Sequence, residues 1–487
     1  MIDFKNIEKY QENNRIEAKK ALGGLPHSIW ETYSAFANTQ GGIILLGVEE
    51  HGDKSLHPID LPDPELLIED FWEIIHDSRQ VSTNILSEKD VTVELIDGKR
   101  IVAIRVPRAQ RYDKPVFVEG SPFTGTYRRN GEGDYRCTKE EVQAMMRDAA
   151  IQAQDMAVLE DRDLTVLDFD SVRRYRTRME ADRPGHAWEG LEDVDFLYKL
   201  GAVGRSRDGQ MRPTAAGLLM FGYEYEIVKE YPAYFLDYRE QKEPDAPRIN
   251  RFVSSSGDWS GNIYDFYIRV CNKITQGISI PGDASSDNHA HVCNALREAL
   301  ANCLVNADYH GRQGIVIIRQ HDRITLSNPG GFRIDVETAK SGGVSDPRNS
   351  GLIRMFNLID VGERTGSGIP HIFNVWNKQG WPAPVITESF DPERITLSLV
   401  LGESPKQVPD VKTNTHDRTK TTRSKSQIQK QAIIAFLTER VEAKTADVAD
   451  LLGVKDARAR RLLSEMVAEG TIVTDGGKRN RIYKLRA

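Results

Sequence analysis

The sequence predicts a multidomain protein of mixed α/β and α+β class, and three observations carry that reading. The chain has 487 residues, whereas one domain takes roughly 100–200, so about three to four are expected. Stretches with the 3.6-residue apolar period of helices alternate with short apolar runs of strand type. A polar stretch at 403–427, ESPKQVPDVKTNTHDRTKTTRSKSQ, has no such period and too little apolar area to offset the entropy of ordering it. The expected layout is a first domain over 1–150, a connector over 151–285, a third domain over 286–402, a linker over 403–427 and a small C-terminal domain over 428–487.

Taken in order, the first domain has a helix at 28–38 and a strand at 42–48 behind the Gly41-Gly42 turn. Strands follow at 91–95 and 100–106, and a helix at 139–149 closes it. In the connector, Pro213 to Gly222 reads as a helix-turn segment. The third domain opens on a long helix at 292–307 followed by strands at 315–319 and 323–327. Past the linker come helices at 428–439, 444–452 and 457–469. A hairpin then joins Ile472-Val473 to Ile482-Tyr483 through a turn holding two glycines. Three helices and a basic hairpin predict a winged helix-turn-helix.

Composition narrows the function classes. Hydrophobic residues at 39% and charged residues at 28% give an ordinary globular balance. The longest apolar stretch, Gly41 to Val48, is far short of the roughly 20 residues that span a bilayer. The N-terminus lacks a signal pattern, so no membrane partner and a cytoplasmic location are expected. Cys137, Cys271, Cys293 and Cys303 show no CxxC spacing, which excludes a zinc ribbon and a disulfide framework. From Glu403 onward 18 basic residues face 11 acidic ones, against 47 and 61 before it. An acidic body with a basic tail points to a polyanionic partner for the tail.

Three motifs carry chemistry. Glu12 and Glu17 lie five apart, Lys19 follows, and Glu50 stands at a strand end. Carboxylates converging from different elements suit Mg²⁺ or Mn²⁺ and could activate water beside a phosphate. By spacing alone, solvated surface is the competing reading. In the third domain Glu298, Asn302 and Asn306 fall at i, i+4 and i+8 on one helix face. Asp308 follows, then the glycine clusters Asn328-Pro-Gly330-Gly331 and Glu363-Arg-Thr-Gly366-Ser-Gly368, whose backbone can approach an anion. In the C-terminal domain Arg458, Arg460 and Arg461 open the third helix, and Lys478, Arg479 and Arg481 sit on the hairpin, positions suited to DNA. A winged helix used for protein contact is the alternative.

Two resemblances sharpen this. Glu12-x4-Glu17-x-Lys19, Ser34-Ala-Phe-Ala-Asn-Thr-Gln-Gly-Gly42, Gly47-Val-Glu-Glu50 and Gly125-Thr-Tyr-Arg-Arg-Asn-Gly131 look like the AlbA-like domain of the Schlafen family. That resemblance implies either a metal-dependent endonuclease with Glu12, Glu17 and Glu50 as carboxylates, or a nucleic-acid binder without cleavage. Ala18 replaces a usual Phe, and Glu50 stands where Asp is common. Arg297 to Tyr309, Asn328 to Gly331, Arg348-Asn349 and Glu363 to Ile369 resemble the ATPase module of RecG-related bacterial proteins, a divergent relative of the gyrase and histidine-kinase (GHKL) ATP site. It implies ATP held by Glu298, Asn302, Asn306, Asp308, Gly330, Gly331, Gly366 and Gly368, with Asn302 on the metal. Cys303 and Asn306 depart from its pattern, and neither a GxxxxGK[ST] loop nor a DExH box is present, so a true helicase is not expected. The expected function is ATP-responsive binding of nucleic acid (tRNA or DNA) by an oligomer, at least a dimer, with a candidate nuclease site and, from resemblance alone, a setting in stress or phage defence. The alternative is a non-enzymatic transcriptional regulator.

Overall fold

The computed structural model describes residues 3–241, 250–278, 286–362 and 366–402, and further on 430, 433, 436–437, 442–452, 456–468, 471–475 and 482–485. Counts of elements refer to these residues. The chain divides into two compact units, Met1–Lys406 and Gln407–Ala487. The linker expected at 403–427 lies outside the described residues, as does most of the helix expected at 428–439.

The N-terminal part runs β1 (Ile16–Lys19), α1 (Ile29–Asn38), β2 (Gly42–Leu46), β3 (Val48–Glu50), β4 (Leu56–Pro58), α2 (Pro64–Ile75), β5 (Val91–Ile96), β6 (Lys99–Val106), α3 (Pro122–Gly125), β7 (Tyr127–Asn130), β8 (Gly133–Arg136) and α4 (Lys139–Ala149). Its main sheet has the order β1-β2-β6-β5, parallel only between β1 and β2. The expected strand at 42–48 breaks at Gly47, whose φ of +82° ends β2 and sends β3 off to pair with β4. Helix α1 is buried at nine of its ten residues, so it forms the centre of the domain rather than a surface helix. The two glycines after it are sterically required. A Cβ on Gly41 would come 2.8 Å from the Val106 carbonyl oxygen, and one on Gly42 2.7 Å from the Phe36 ring. Helix α4 starts where the sequence places it because Thr138 and Glu141 form a reciprocal capping box.

The rest of this unit runs α5 (Phe169–Asp182), α6 (Asp193–Leu200), β9 (Val203–Arg205), β10 (Met211–Pro213), α7 (Ala215–Phe221), α8 (Glu224–Glu230), β11 (Leu236–Glu240), β12 (Asn250–Val253), α9 (Ile263–Ile274), α10 (Ser286–Val305), β13 (Ile315–Arg319), β14 (Arg323–Pro329), α11 (Val336–Ser341), α12 (Ser350–Leu358), α13 (Gly368–Lys378), β15 (Val385–Phe390) and β16 (Glu393–Val400). A six-stranded sheet has the order β12-β11-β13-β14-β16-β15, parallel between β11 and β13 and antiparallel elsewhere. Its strands come from both sides of residue 285, and one apolar core runs from Leu159 to Leu399. The segments 151–285 and 286–402 therefore share a sheet and a core. Each large side chain buried there, such as Trp376 or Phe356, contributes about 1.5–3 kcal/mol. All four cysteines are free thiols in buried positions.

The second unit has β17 (Glu442–Ala443), α14 (Thr445–Leu452), α15 (Asp456–Ala468), β18 (Ile472–Asp475) and β19 (Ile482–Leu485), with sheet order β17-β19-β18. Ile433, Leu437, Val448, Leu462, Leu463, Met466, Ile472 and Tyr483 are among the side chains of its core. Among the described residues no helix is long and apolar enough to cross a membrane.

Candidate functional site

The N-terminal glutamates share one electrostatic neighbourhood. Burial raises the pKa of Glu12 above the ordinary carboxylate value, the Ala18 N–H opposes this, and the negative charges of Glu17 and Glu50 raise it further. The donors are nevertheless committed. Glu12 Oε1 accepts from the Ala18 N–H at 2.9 Å, and Glu17 Oε1 accepts from Lys19 Nζ at 2.9 Å. Glu17 Oε2 lies 2.8 Å from Arg129 Nη2, an ion pair without hydrogen-bond alignment, and has no other partner. Glu50 is exposed on β3. Among the described residues no group of three or more His, Cys, Asp or Glu is placed to hold a metal ion. The metal role expected for Glu12, Glu17 and Glu50 does not fit this arrangement, because Glu17 is already neutralised by two cations.

The residue that organises this corner is Arg129, which the sequence reading did not single out. Its side chain is 1% exposed and donates to Asp134 Oδ1 at 2.9 Å and to the carbonyls of Asn13 and Ile16. Glu17 and Asp134 together balance this buried cation, so the second arginine of Tyr-Arg-Arg-Asn, Arg129, ties β7 to β1. The neighbouring motif is equally structural. Asn38 Nδ2 donates to the carbonyls of Val116 and Tyr127, and Asn38 Oδ1 accepts from the Val116 N–H. The Asn of the Ala-Phe-Ala-Asn motif thus staples the end of α1 to the Val116 segment and to β7.

The third-domain motif residues converge. A cavity of about 140 Å³ lies between α10, α13 and the sheet, and Asn302, Asn306, Gly331, Gly366 and Gly368 all line it. Glu298 stands at its edge: a Cβ on Gly368 would come 2.6 Å from Glu298 Oε1 and 2.9 Å from Asn302 Nδ2. The two glycine segments also meet the chain closely, since a Cβ on Gly366 would come 2.4 Å from the Val344 carbonyl oxygen. Apolar side chains of Leu326, Ile353, Ile372 and Ile395 form much of the wall. Gly330 and Asp308 are not part of the lining. Gly330 has a φ of +91° and lies against the Arg348 guanidinium. Asp308 turns away, accepting from the His310 N–H and pairing with Arg147 at 3.3 Å. Glu363 lies outside the described residues.

Arg348 and Asn349 serve the frame. Asn349 Nδ2 donates to the Val305 and Ala307 carbonyls at 2.8 Å each, closing the C-terminal end of α10. Arg348 donates to the carbonyls of Asn306 and Gly331 and to Asp148 at the end of α4. Asp148 also meets Arg333 at 3.2 Å. Burial pushes the Asp148 carboxyl up, but the charges of Arg348 and Arg333 outweigh it and bring its pKa to about 2. Further contacts join the same two parts of the unit. Arg108 pairs with Glu388 at 2.6 Å, Arg111 pairs with Asp346, and Arg128 donates to the Phe390 carbonyl.

In the second unit, Arg460 and Arg461 are exposed on α15, and Arg458 is partly buried there. Arg461 also pairs with Glu465 at 3.2 Å. Lys478, Arg479 and Arg481 lie outside the described residues.

Comparison with known families places these parts. The family model "Schlafen, AlbA_2" matches residues 12–138. The model "Putative ATP-dependent DNA helicase recG C-terminal" (HATPase_c_4) matches residues 313–397, and a domain of unknown function (DUF8451) matches 143–237. Among solved structures, the N-terminal domain of a RecG-related protein from Nitrosomonas europaea is 30% identical, covering 28% of this chain and 95% of that one with a TM-score of 0.23. The DIP2311 protein from Corynebacterium diphtheriae is 16% identical, covering 97% of this chain and 95% of that one with a TM-score of 0.39. No curated protein matches. The two named domain families suggest a nucleic-acid-related ATPase function. The chain thus carries a Schlafen AlbA_2 domain, followed further on by a RecG C-terminal-type HATPase_c_4 domain.

Proposed function

We propose that the protein binds nucleic acid in a nucleotide-responsive way, with ATP taken into the cavity behind α10. The convergence of Asn302, Asn306, Gly331, Gly366 and Gly368 on that one cavity carries the reading. The residues fit the group: an apolar wall suits a purine ring, glycine backbone suits close approach of phosphates, and Asn302 with Glu298 offers oxygen donors for Mg²⁺. Bound Mg²⁺ would neutralise charge on the phosphates. The nucleic-acid contacts belong to the Schlafen-type domain and to the C-terminal unit, read here as a winged helix with Arg460 and Arg461 toward the groove.

For the N-terminal domain we favour binding without metal-dependent cleavage, because Lys19 and Arg129 occupy the Glu17 carboxylate. A DNA-binding regulator is the form of this reading that the basic tail supports. The test incubates the full chain with tRNA, single-stranded DNA and duplex DNA, with and without ATP, in Mn²⁺ and in chelator. Binding that ATP alters, with no cutting in either condition, is expected. Mn²⁺-dependent cutting lost on Glu17→Gln would overturn the binding-only reading.

A further inference from the structure

The loop wall of the cavity separates it from a second space. Gly331, Phe332 and Arg333 line the 140 Å³ cavity and also a pocket of about 30 Å³ shared with Asn38, Arg108, Arg111, Lys114 and Asp148. Arg333 is therefore within reach of both sides, yet its partners hold it loosely. It donates to Asp148 Oδ1 at 3.3 Å, to the Pro347 carbonyl at 3.1 Å and to the Asp148 carbonyl at 3.4 Å. Its second acid, Asp346, is 3.7 Å away and is shared with Arg111. Arg348, in contrast, holds Asp148 at 2.6 and 2.9 Å and would remain on it. Burial lowers the pKa of Arg333 below the usual guanidinium value, and Arg348 and Arg111 act in the same sense, against the opposing charges of Asp148 and Asp346. An incoming anion would relieve that strain on the cation.

We propose that Arg333 is the residue by which the cavity recognises the phosphates of its nucleotide, and that it does so by leaving Asp148 of α4. Two consequences follow from this exchange, which rests on the nucleotide reading above. Ligand and α4 compete for one guanidinium, so phosphate binding loosens the contact between the loop at 331–348 and the N-terminal domain. By linkage, whatever tightens that contact weakens phosphate binding by the same factor. The nucleotide signal thus reaches the Schlafen-type domain through the Arg333–Asp148 contact, one of several ion pairs that join the two parts.

The experiment compares ATP with adenosine, which lacks the phosphates, on the full chain by titration calorimetry, and follows amide exchange at 139–150. In the unaltered protein ATP should speed exchange at 139–150 and adenosine should not. Arg333→Gln should weaken ATP at least about tenfold, the size of a charge-assisted hydrogen bond, leave adenosine affinity unchanged, and abolish the exchange response. Arg333→Lys should recover part of the ATP affinity. Equal loss of ATP and adenosine binding would mean a merely structural role and overturns the proposal. So would unchanged ATP affinity in Arg333→Gln, or unchanged exchange at 139–150 in the unaltered protein, a result that needs no variant to fold. If the unaltered protein binds neither ligand, the nucleotide reading falls and takes this proposal with it.

Discussion

Replacing Glu17 with Gln separates a structural carboxylate from a catalytic one by the sign of its effect on stability. A carboxylate held among like charges for catalysis destabilises the fold, so neutralising it leaves stability unchanged or raises it. Glu17 is placed otherwise. Its oxygens meet Lys19 Nζ at 2.9 Å and Arg129 Nη2 at 2.8 Å, and the Arg129 side chain is 1% exposed. Breaking a buried pair outright costs about 3–5 kcal/mol, but Asp134 at 2.9 Å still compensates Arg129, and Gln keeps one acceptor. One lost charge-assisted contact, about 1.5–3 kcal/mol, is the expected effect. For a cooperative unit of 150–250 residues, at about 2–4 °C per kcal/mol, this lowers Tm by roughly 3–12 °C. Glu12→Gln is the paired control. Its ionised form is disfavoured by burial and by the charges of Glu17 and Glu50, and Gln still accepts from the Ala18 N–H, so Tm should hold or rise. Calorimetry at neutral pH, with urea unfolding to check that the m-value is unchanged, reads both. A Glu17→Gln protein as stable as its parent would refute the assignment and return Glu17 to the candidates for metal chemistry.

Asp155 gives a pH test. It is 2% exposed, burial raises its pKa to about 6, and its Oδ2 caps α12 through the Leu352 N–H. The folded state therefore holds this proton more tightly than the unfolded one. Stability should fall by about 3 kcal/mol as pH rises from about 4 to 6, and Asp155→Asn should flatten that decline in urea titrations. ATP at about 100 times its dissociation constant should add about 2.7 kcal/mol of stability, and Asn302→Ala should remove the shift in a thermal melt. Removing residues from Glu403 onward should abolish tight duplex DNA binding at matched salt. Charge reversal of Arg460 and Arg461 should weaken it and flatten its salt dependence, read as the log–log slope of affinity against salt.

Local rules were enough for the elements whose periods and caps lie in the sequence itself. The helix expected at 28–38 is α1, that at 139–149 is α4 with its Thr138–Glu141 box, and the strands at 91–95 and 100–106 are β5 and β6 to within one residue. The i, i+4, i+8 face of Asn302 and Asn306 was legible for the same reason, since helical spacing alone puts them on one side. What the sequence could not show is which charges meet. Glu12, Glu17 and Glu50 read as a metal set because acidic spacing is visible, whereas Arg129, 112 residues beyond Glu17, reaches it only through the packing of β7 against β1. Likewise nothing local marks Asp148 as the partner of Arg333 and Arg348, or shows that β11 and β13, far apart in the chain, pair in parallel within one sheet. Hydrogen bonds within an element depend on neighbours a few residues apart, so the sequence determines them; the balance of buried charge depends on contacts made across a hundred residues or more, and only the folded chain decides it.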